Sequence, residues 1–309
     1  MREFSSAQIK KGVRSLGFGG DGATWGNYAL VWKDADTALV DFGDTHYTNG
    51  NNFDFVAVGM NTPSLWHQLA IYAVAMFQNA DNVRFSAKSP GLGPSAVPLG
   101  GSGTDQGIFV KVAMPIGKGF SVGGLINYEV SRFDASTVST PIPQQVRYET
   151  GWRPSGGFGI TWEPNKRMLF GFRGLSNSDL ERRTDPAGLT EGVVSKTELR
   201  LGGSISPWDG ALIDAGATRL ASSNPQAGTH VIFFAPNIGF EQALLGKHLT
   251  LRGGVDETSP TAGLTLKFSR YKLDTGYVHD MAKKRIGDLF GANSQSILFT
   301  FTVVYGGGH

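Results

Sequence analysis

The sequence predicts an all-β fold, a transmembrane antiparallel β-barrel of about fourteen strands with an amino-terminal plug segment. Three observations carry that reading. From residue 105 onward, apolar residues recur at every second position, in runs that each end in a turn. The connections between runs alternate between short and long. No stretch makes a membrane helix: the longest mostly apolar one, Leu65 to Phe77, is interrupted by His67 and Gln68 and falls short of the ~18 apolar residues a helix needs.

Taken in order, residues 1–35 read as the plug. Ser5 to Val13 has the pattern of one short helical turn, and Leu16-Gly17-Phe18-Gly19-Gly20-Asp21-Gly22 is too glycine-rich for strand or helix. The barrel then occupies residues 36–305. Strands are expected near 36–46, 52–60, 67–78, 107–115, 120–133, 144–163, 167–176, 194–206, 211–220, 229–243, 248–256, 261–268, 271–280 and 294–305. The alternation Ile108, Val110, Val112, Met114 against Phe109, Lys111, Ala113 is typical, and Phe120 to Val130 and Ile297 to Tyr305 repeat it. Period two places one set on each face of a sheet. Short connections fall at Pro115 to Gly119, Pro164 to Arg167, Pro207 to Gly210, Leu245 to Lys247 and Ser269–Arg270. Long ones fall at Asp134 to Gln144, Asn177 to Gly192, Ala221 to Gly228 and Met281 to Asn293, and Phe85 to Gly107 reads as a long extracellular loop. An even strand count with short turns on one side fits a bacterial outer-membrane barrel with both termini periplasmic. The start, Met1-Arg2-Glu3-Phe4, does not lead into an apolar signal core, which points to a removed export signal or an engineered mature form. Gly306-Gly307-Gly308-His309 reads as a linker and tag remnant.

Composition narrows the function. The 309 residues carry 28 basic and 26 acidic groups, a net charge of +2, too even for a nucleic-acid partner. Charged residues make up 17% against about 25% in soluble domains. Cysteine is absent, so thiolate metal sites and a cysteine nucleophile are excluded.

The uniformly apolar set must face lipid, because a charge there costs about 2–4 kcal/mol near the midplane. The lumen then receives Asp41, Lys111, Glu129, Glu163, Arg173, Glu198, Arg200, Asp214, Glu241, Arg252, Lys267, Lys272 and Asp274. Neither sign dominates. A selective porin would show one, so an internal ion-pair network is expected. Thr229 to Phe240 and Leu69 to Phe77 are apolar on both faces, which sends some apolar side chains inward. Those serve either as packing for the plug or as a pocket for an apolar ligand. The candidate ligand-binding residues are Phe18, Trp25 and Trp32 from the plug, and Phe109, Val231 and Phe233 from the wall.

Signals for chemistry are weak. Gly17 to Gly22 has dinucleotide-like glycine spacing, yet no apolar strand precedes it and no amphipathic helix follows. The histidines His46, His67, His230, His248, His279 and His309 show no i,i+4 pair, and no Gly-x-Ser-x-Gly elbow occurs. No enzyme, cofactor or metal site is expected. Two basic clusters, Arg182-Arg183 and Lys283-Lys284-Arg285, fall in expected loops. They are either solvated or in contact with lipopolysaccharide phosphates at the outer rim.

The chain also resembles the FadL family of outer-membrane transporters of long-chain fatty acids and hydrocarbons, with its relatives among secretion-associated barrels. Glu3-Phe4-Ser5-Ser6 followed by Gly17 to Gly22 is similar to the family's amino-terminal hatch. Leu249 to Val255 with Asp256 to Pro260 is similar to its late hairpins, as are Leu273 to Tyr277 and the last strand to its carboxy-terminal end. The hatch usually carries Asn-Pro-Ala; the nearest tripeptides here are Asn27-Tyr28-Ala29 and Asp41-Phe42-Gly43. The resemblance implies a plugged barrel that takes up a hydrophobic small molecule without chemistry, with membrane lipid and lipopolysaccharide around it. The competing reading is a closed structural barrel that anchors another envelope protein. If Lys283, Lys284 and Arg285 touch lipopolysaccharide, replacing all three with Gln reduces the lipopolysaccharide that co-purifies; unchanged retention returns them to solvent.

Overall fold

The computed structural model describes residues 27–33, 37–48, 50–66, 69–89, 93–138, 142–151, 153–224, 229–256, 258–279 and 294–304. Phe18, Trp25, Lys283, Lys284, Arg285 and residues 306–309 lie outside them. Among the described residues, fifteen strands follow one short 3₁₀ turn, Tyr28–Lys33. They are β1 (Thr37–Tyr47), β2 (Asn52–Trp66), β3 (Leu69–Ser89), β4 (Gly93–Gly117), β5 (Phe120–Thr137), β6 (Gln145–Thr150), β7 (Arg153–Asn165) and β8 (Met168–Asp185). Then come β9 (Gly188–Ile205), β10 (Ala211–Asn224), β11 (Thr229–Leu244), β12 (Leu249–Asp256), β13 (Ser259–Phe268), β14 (Tyr271–His279) and β15 (Ser294–Val304). All pairings are antiparallel, and β1 closes on β15 from Thr37↔Val304 to Tyr47↔Ser294. β6 and β7 occupy one place in the wall, both lying between β5 and β8. The wall is therefore a closed 14-strand barrel. Each expected strand coincides with one wall position.

Alternation decides the two faces. On β5, Phe120, Ile126 and Tyr128 are exposed while Ser121, Leu125, Asn127 and Glu129 are buried. On β11, Ile232, Phe234, Ile238 and Phe240 point out and Ala235, Asn237 and Glu241 point in. At ~3.3 Å per residue and a strand tilt near 40°, Phe120 to Val130 spans a height of about 25 Å, the usual apolar band. Above it the outer face changes character. Arg132 and Arg147 both pair with Asp134, at 2.9 and 2.6 Å, and Arg182 pairs with Glu191 at 2.6 Å. At its lower edge, Phe120, Trp162 and Phe170 stack in a row near the short turns, an aromatic girdle at the membrane interface.

Three of the expected long loops prove to be hairpins of tall strands. Phe85 to Gly107 is not a loop: β3 runs to Ser89 and β4 starts at Gly93. Likewise β8 and β9 continue through most of Asn177 to Gly192, so Arg182 and Arg183 stand on a strand, and β10 and β11 continue through Ala221 to Gly228 up to Asn224 and from Thr229. The physical reason is that strands above the bilayer no longer face lipid. Their outer residues are charged or polar, and the alternation that marks a membrane strand is lost there.

Where β7 gives way to β6, the wall is interrupted beside β8. Among the described residues, the β7–β8 ladder stops at Gly156↔Ser176 and resumes on β6 at Thr150↔Glu181. Pro154, which has no N–H to donate, sits in the break, as expected of a proline within a sheet. An arginine on the lipid face tests the assignment of faces. Ile126→Arg should lower barrel stability by about 2–4 kcal/mol, read as the urea midpoint of heat-modifiable gel migration in lipid vesicles.

Candidate functional site in the barrel lumen

Two different surfaces line the lumen. The first is apolar and is gathered mainly from β2 to β5. Phe53, Ala57, Val74, Met76, Ala80, Val83, Phe109 and Leu125 form one buried cluster with Leu175, Val278 and Leu298. Tyr28, from the 3₁₀ turn, belongs to the same cluster. The second surface is ionic and runs along β8 to β14. Glu198 accepts from Arg173 at 2.9 Å and from Arg200 at 2.6 Å, and Arg200 also faces Asp256 at 3.8 Å. A neighbouring set centres on Arg252, which donates to Glu241 at 2.6 Å and faces Asp274 at 3.4 Å. Thr265 bridges Arg252 and Asp274 through its hydroxyl. Arg173 and Arg200 are among the largest fully buried side chains. Removing one partner of such a pair strands the other, which typically costs about 3–5 kcal/mol. Of the expected lumen charges, Glu163, Arg173, Glu198, Arg200, Glu241, Arg252, Lys272 and Asp274 stand in ion pairs, Lys111 lies over the Tyr72 ring, and Lys267 is exposed beside a short turn.

The 3₁₀ turn docks where the wall has no side chains. Asn27 starts it: its Oδ1 accepts from the Ala29 N–H at 3.0 Å, and the Asn27 carbonyl accepts from Leu30. The same side chain reaches the wall, where Nδ2 donates to the carbonyls of Ile160 and Phe172 at 3.2 and 3.0 Å. Ile160 and Phe172 are cross-strand partners on β7 and β8, so one amide grips both strands. Gly123, Gly157 and Gly159 make the approach possible. A Cβ on Gly123 would lie 2.6 Å from the Tyr28 carbonyl carbon, one on Gly157 2.8 Å from the Tyr28 ring, and one on Gly159 would fall on Asn27 Oδ1. Arg173 lies over the Tyr28 ring, 5.2 Å from its centre, at cation–π distance. Lys33 adds an ion pair to Glu163. Of the two tripeptides nearest the hatch motif, Asn27-Tyr28-Ala29 is the one docked inside the barrel, while Asp41-Phe42-Gly43 is part of β1.

Among the candidate ligand residues, Phe109 is fully buried in the apolar cluster. Phe233 is half-buried on the inward face of β11, and Val231 shares that face but is exposed. β4 and β11 stand well apart in the strand order, and neither Phe233 nor Val231 belongs to the cluster. Trp32 lies in the 3₁₀ turn, whose described side chains are those of 27–30 and Lys33. Sequence reasoning missed Tyr28, Phe53, Met76 and Leu125. The alternation signal alone would have placed Leu125 inward, since its neighbours Gly124 and Ile126 face lipid. Among the described residues, no group of three or more His, Cys, Asp or Glu side chains is arranged to hold a metal.

The fold and its apolar outer band define a bacterial outer-membrane β-barrel with chain docked inside. Solved structures place it more narrowly. A Pseudomonas aeruginosa FadL homologue superposes with a TM-score of 0.63 at 12% identity, covering 95% of this chain and 98% of that one. The Pseudomonas putida toluene transporter TodX gives 0.59 at 9% identity, over 91% and 93% of the two chains. The CymD monoaromatic hydrocarbon channel gives 0.59 at 12%, over 96% and 98%. No protein-family model matches the chain, and no curated protein is similar to it in sequence. The chain thus has the FadL-type fold.

Side chains at the docking glycines should release the turn. Gly159→Val is expected to expose the amides of residues 27–33 to hydrogen exchange by at least tenfold in native protein. Gly124→Ala, on the lipid face of β5 and in ordinary contact only, should leave them protected.

Proposed function

We propose that this protein is a non-enzymatic channel for uptake of hydrophobic small molecules across the outer membrane, with residues 1–35 as its plug. The observation that carries the reading is the apolar cluster inside the lumen. A barrel whose interior met only water would line it with polar groups. Here Phe53, Val74, Met76, Phe109 and Leu125 turn inward together, beside an ionic surface built on the Arg173–Glu198–Arg200 and Glu241–Arg252–Asp274 pairs. Such a surface offers about 25 cal/mol for each Å² of hydrocarbon removed from water. The structural neighbours include a toluene transporter and a monoaromatic hydrocarbon channel, which supports the same class of cargo. Phe109, Val231 and Phe233, with Phe18, Trp25 and Trp32 of the plug, are proposed to contact it along its route, and the basic run Lys283 to Arg285 to contact lipopolysaccharide.

A second reading has its own observation. Tyr28 belongs to the cluster, so the same surface serves as cement between plug and wall in a closed barrel that anchors another envelope protein. Uptake separates the two. In vesicles bearing the protein, a hydrophobic fluorescent probe should enter faster than in empty vesicles. Phe233→Ala should slow entry severalfold with a nearly unchanged melting temperature. A marked loss of thermal stability with unaltered entry would assign Phe233 to packing, and no entry through the unaltered protein would favour the anchor.

A further inference from the structure

The row of side chains just above the docked turn is polar, buried and incompletely satisfied. Register sets the row. Asn127 of β5 is opposite Ser155 of β7; the β7–β8 ladder ends at Gly156↔Ser176, and Ser155 and Asn177 are the next residues of the two strands beyond that last pair. One row below lie Leu125, Gly157 and Leu175. The Tyr28 main chain lies against Gly123 and its ring against Gly157, so the ring climbs toward Asn127, Ser155 and Asn177. Phe109 flanks the row as the β4 partner of Asn127.

Three buried polar atoms here have no hydrogen-bond partner in the protein: Tyr28 Oη, Asn127 Nδ2 and Asn177 Oδ1. Their residues are 0%, 1% and 8% exposed. Ser155 donates its hydroxyl to Asn127 Oδ1, which fixes that amide with its NH₂ turned away from Ser155. Groups left unmet in this way keep the full cost of having lost their water. Together they supply one amide donor, one amide acceptor and one phenol that does either, beside Leu125, Leu175 and Phe109.

Resting on the channel reading above, we infer that these three atoms form a head-group subsite for an uncharged hydrogen-bonding group, a hydroxyl or carboxamide, carried by an otherwise apolar molecule. The donor set itself argues against a charged head. A carboxylate would meet the Asn177 carbonyl oxygen, and Arg173, the cation beside Tyr28, is committed to Glu198 at 2.9 Å. An ammonium would meet the Asn127 NH₂ and the Arg173 charge. A neutral group with one donor and one acceptor satisfies all three atoms and leaves its tail on the apolar cluster. The subsite thus favours amphiphilic alcohols or amides over the plain hydrocarbon and over the fatty carboxylate of equal length.

The test is competition binding in lipid nanodiscs at neutral pH, using 1-octanol, octane, octanoate and octylammonium against a hydrophobic fluorescent probe, each corrected for its partition into protein-free discs. The unaltered protein should bind 1-octanol roughly tenfold more tightly than any of the other three. Tyr28→Phe and Asn177→Leu should each reduce octanol binding severalfold, leave octane binding unchanged or improved, and retain heat-modifiable migration. Equal affinity for octanol and octane, or octanol binding insensitive to both substitutions, overturns the subsite while leaving a hydrophobic channel intact. Failure of every probe to bind overturns the subsite together with the channel reading on which it rests.

Discussion

Every other feature of this molecule depends on one constraint: no backbone hydrogen-bonding group is left unpaired in the hydrocarbon layer. A strand edge in lipid has no water to satisfy it, at several kcal/mol per group. The β1–β15 pairing removes the edge, and its eleven consecutive partners match the full length of both strands. Closure then fixes which face of each strand meets lipid, and that choice drives the charged residues inward. Once inside, they are stable only in mutual contact. The Arg173–Glu198–Arg200 and Glu241–Arg252–Asp274 groups are what remains after the outside has been made apolar.

The same logic governs the docked turn. A sheet with side chains at every inward position would hold a loop at arm's length. Gly123, Gly157 and Gly159 bring the backbone of residues 27–29 against the backbone of the wall, where a single asparagine side chain bonds to two adjacent strands. That contact ties the amino-terminal segment to β7 and β8, the strands beside the break at Pro154. The boundary between turn and wall is therefore made largely of carbonyl oxygens and glycines, with the Asn27 amide, the Tyr28 ring under Arg173 and the Lys33–Glu163 pair fixing the turn upon it.

Much of this was legible in the sequence because lipid enforces a strict pattern. Phe120 to Val130 alternates without exception on its outer face, and the phase read there for β11 placed Phe233 inward and Phe234 outward, as found. The pattern fails where lipid ends. Asp134, Arg182 and Glu191 are outward residues on true strands, yet in sequence they look like loop. The apolar lumen cluster was only partly visible, because membership depends on which strands lie next to Tyr28 and alternation carries no such information. Asn27 was visible only as part of a tripeptide near a family motif; its two wall carbonyls lie 133 and 145 residues away.

The tall β3–β4 hairpin has a consequence for how this protein can change over time. Both strands continue well past the height at which the outer face turns polar, so their upper ends are held by each other and by water-facing neighbours, free of the bilayer. Register in an antiparallel pair survives when equal numbers of residues are added to or removed from the two arms, and the inward–outward phase survives when those numbers are even. The cell-surface rim can therefore grow or shrink in paired steps without moving any residue of the lumen. Lineages under attack from outside have a part of the molecule they can redesign while the interior stays fixed.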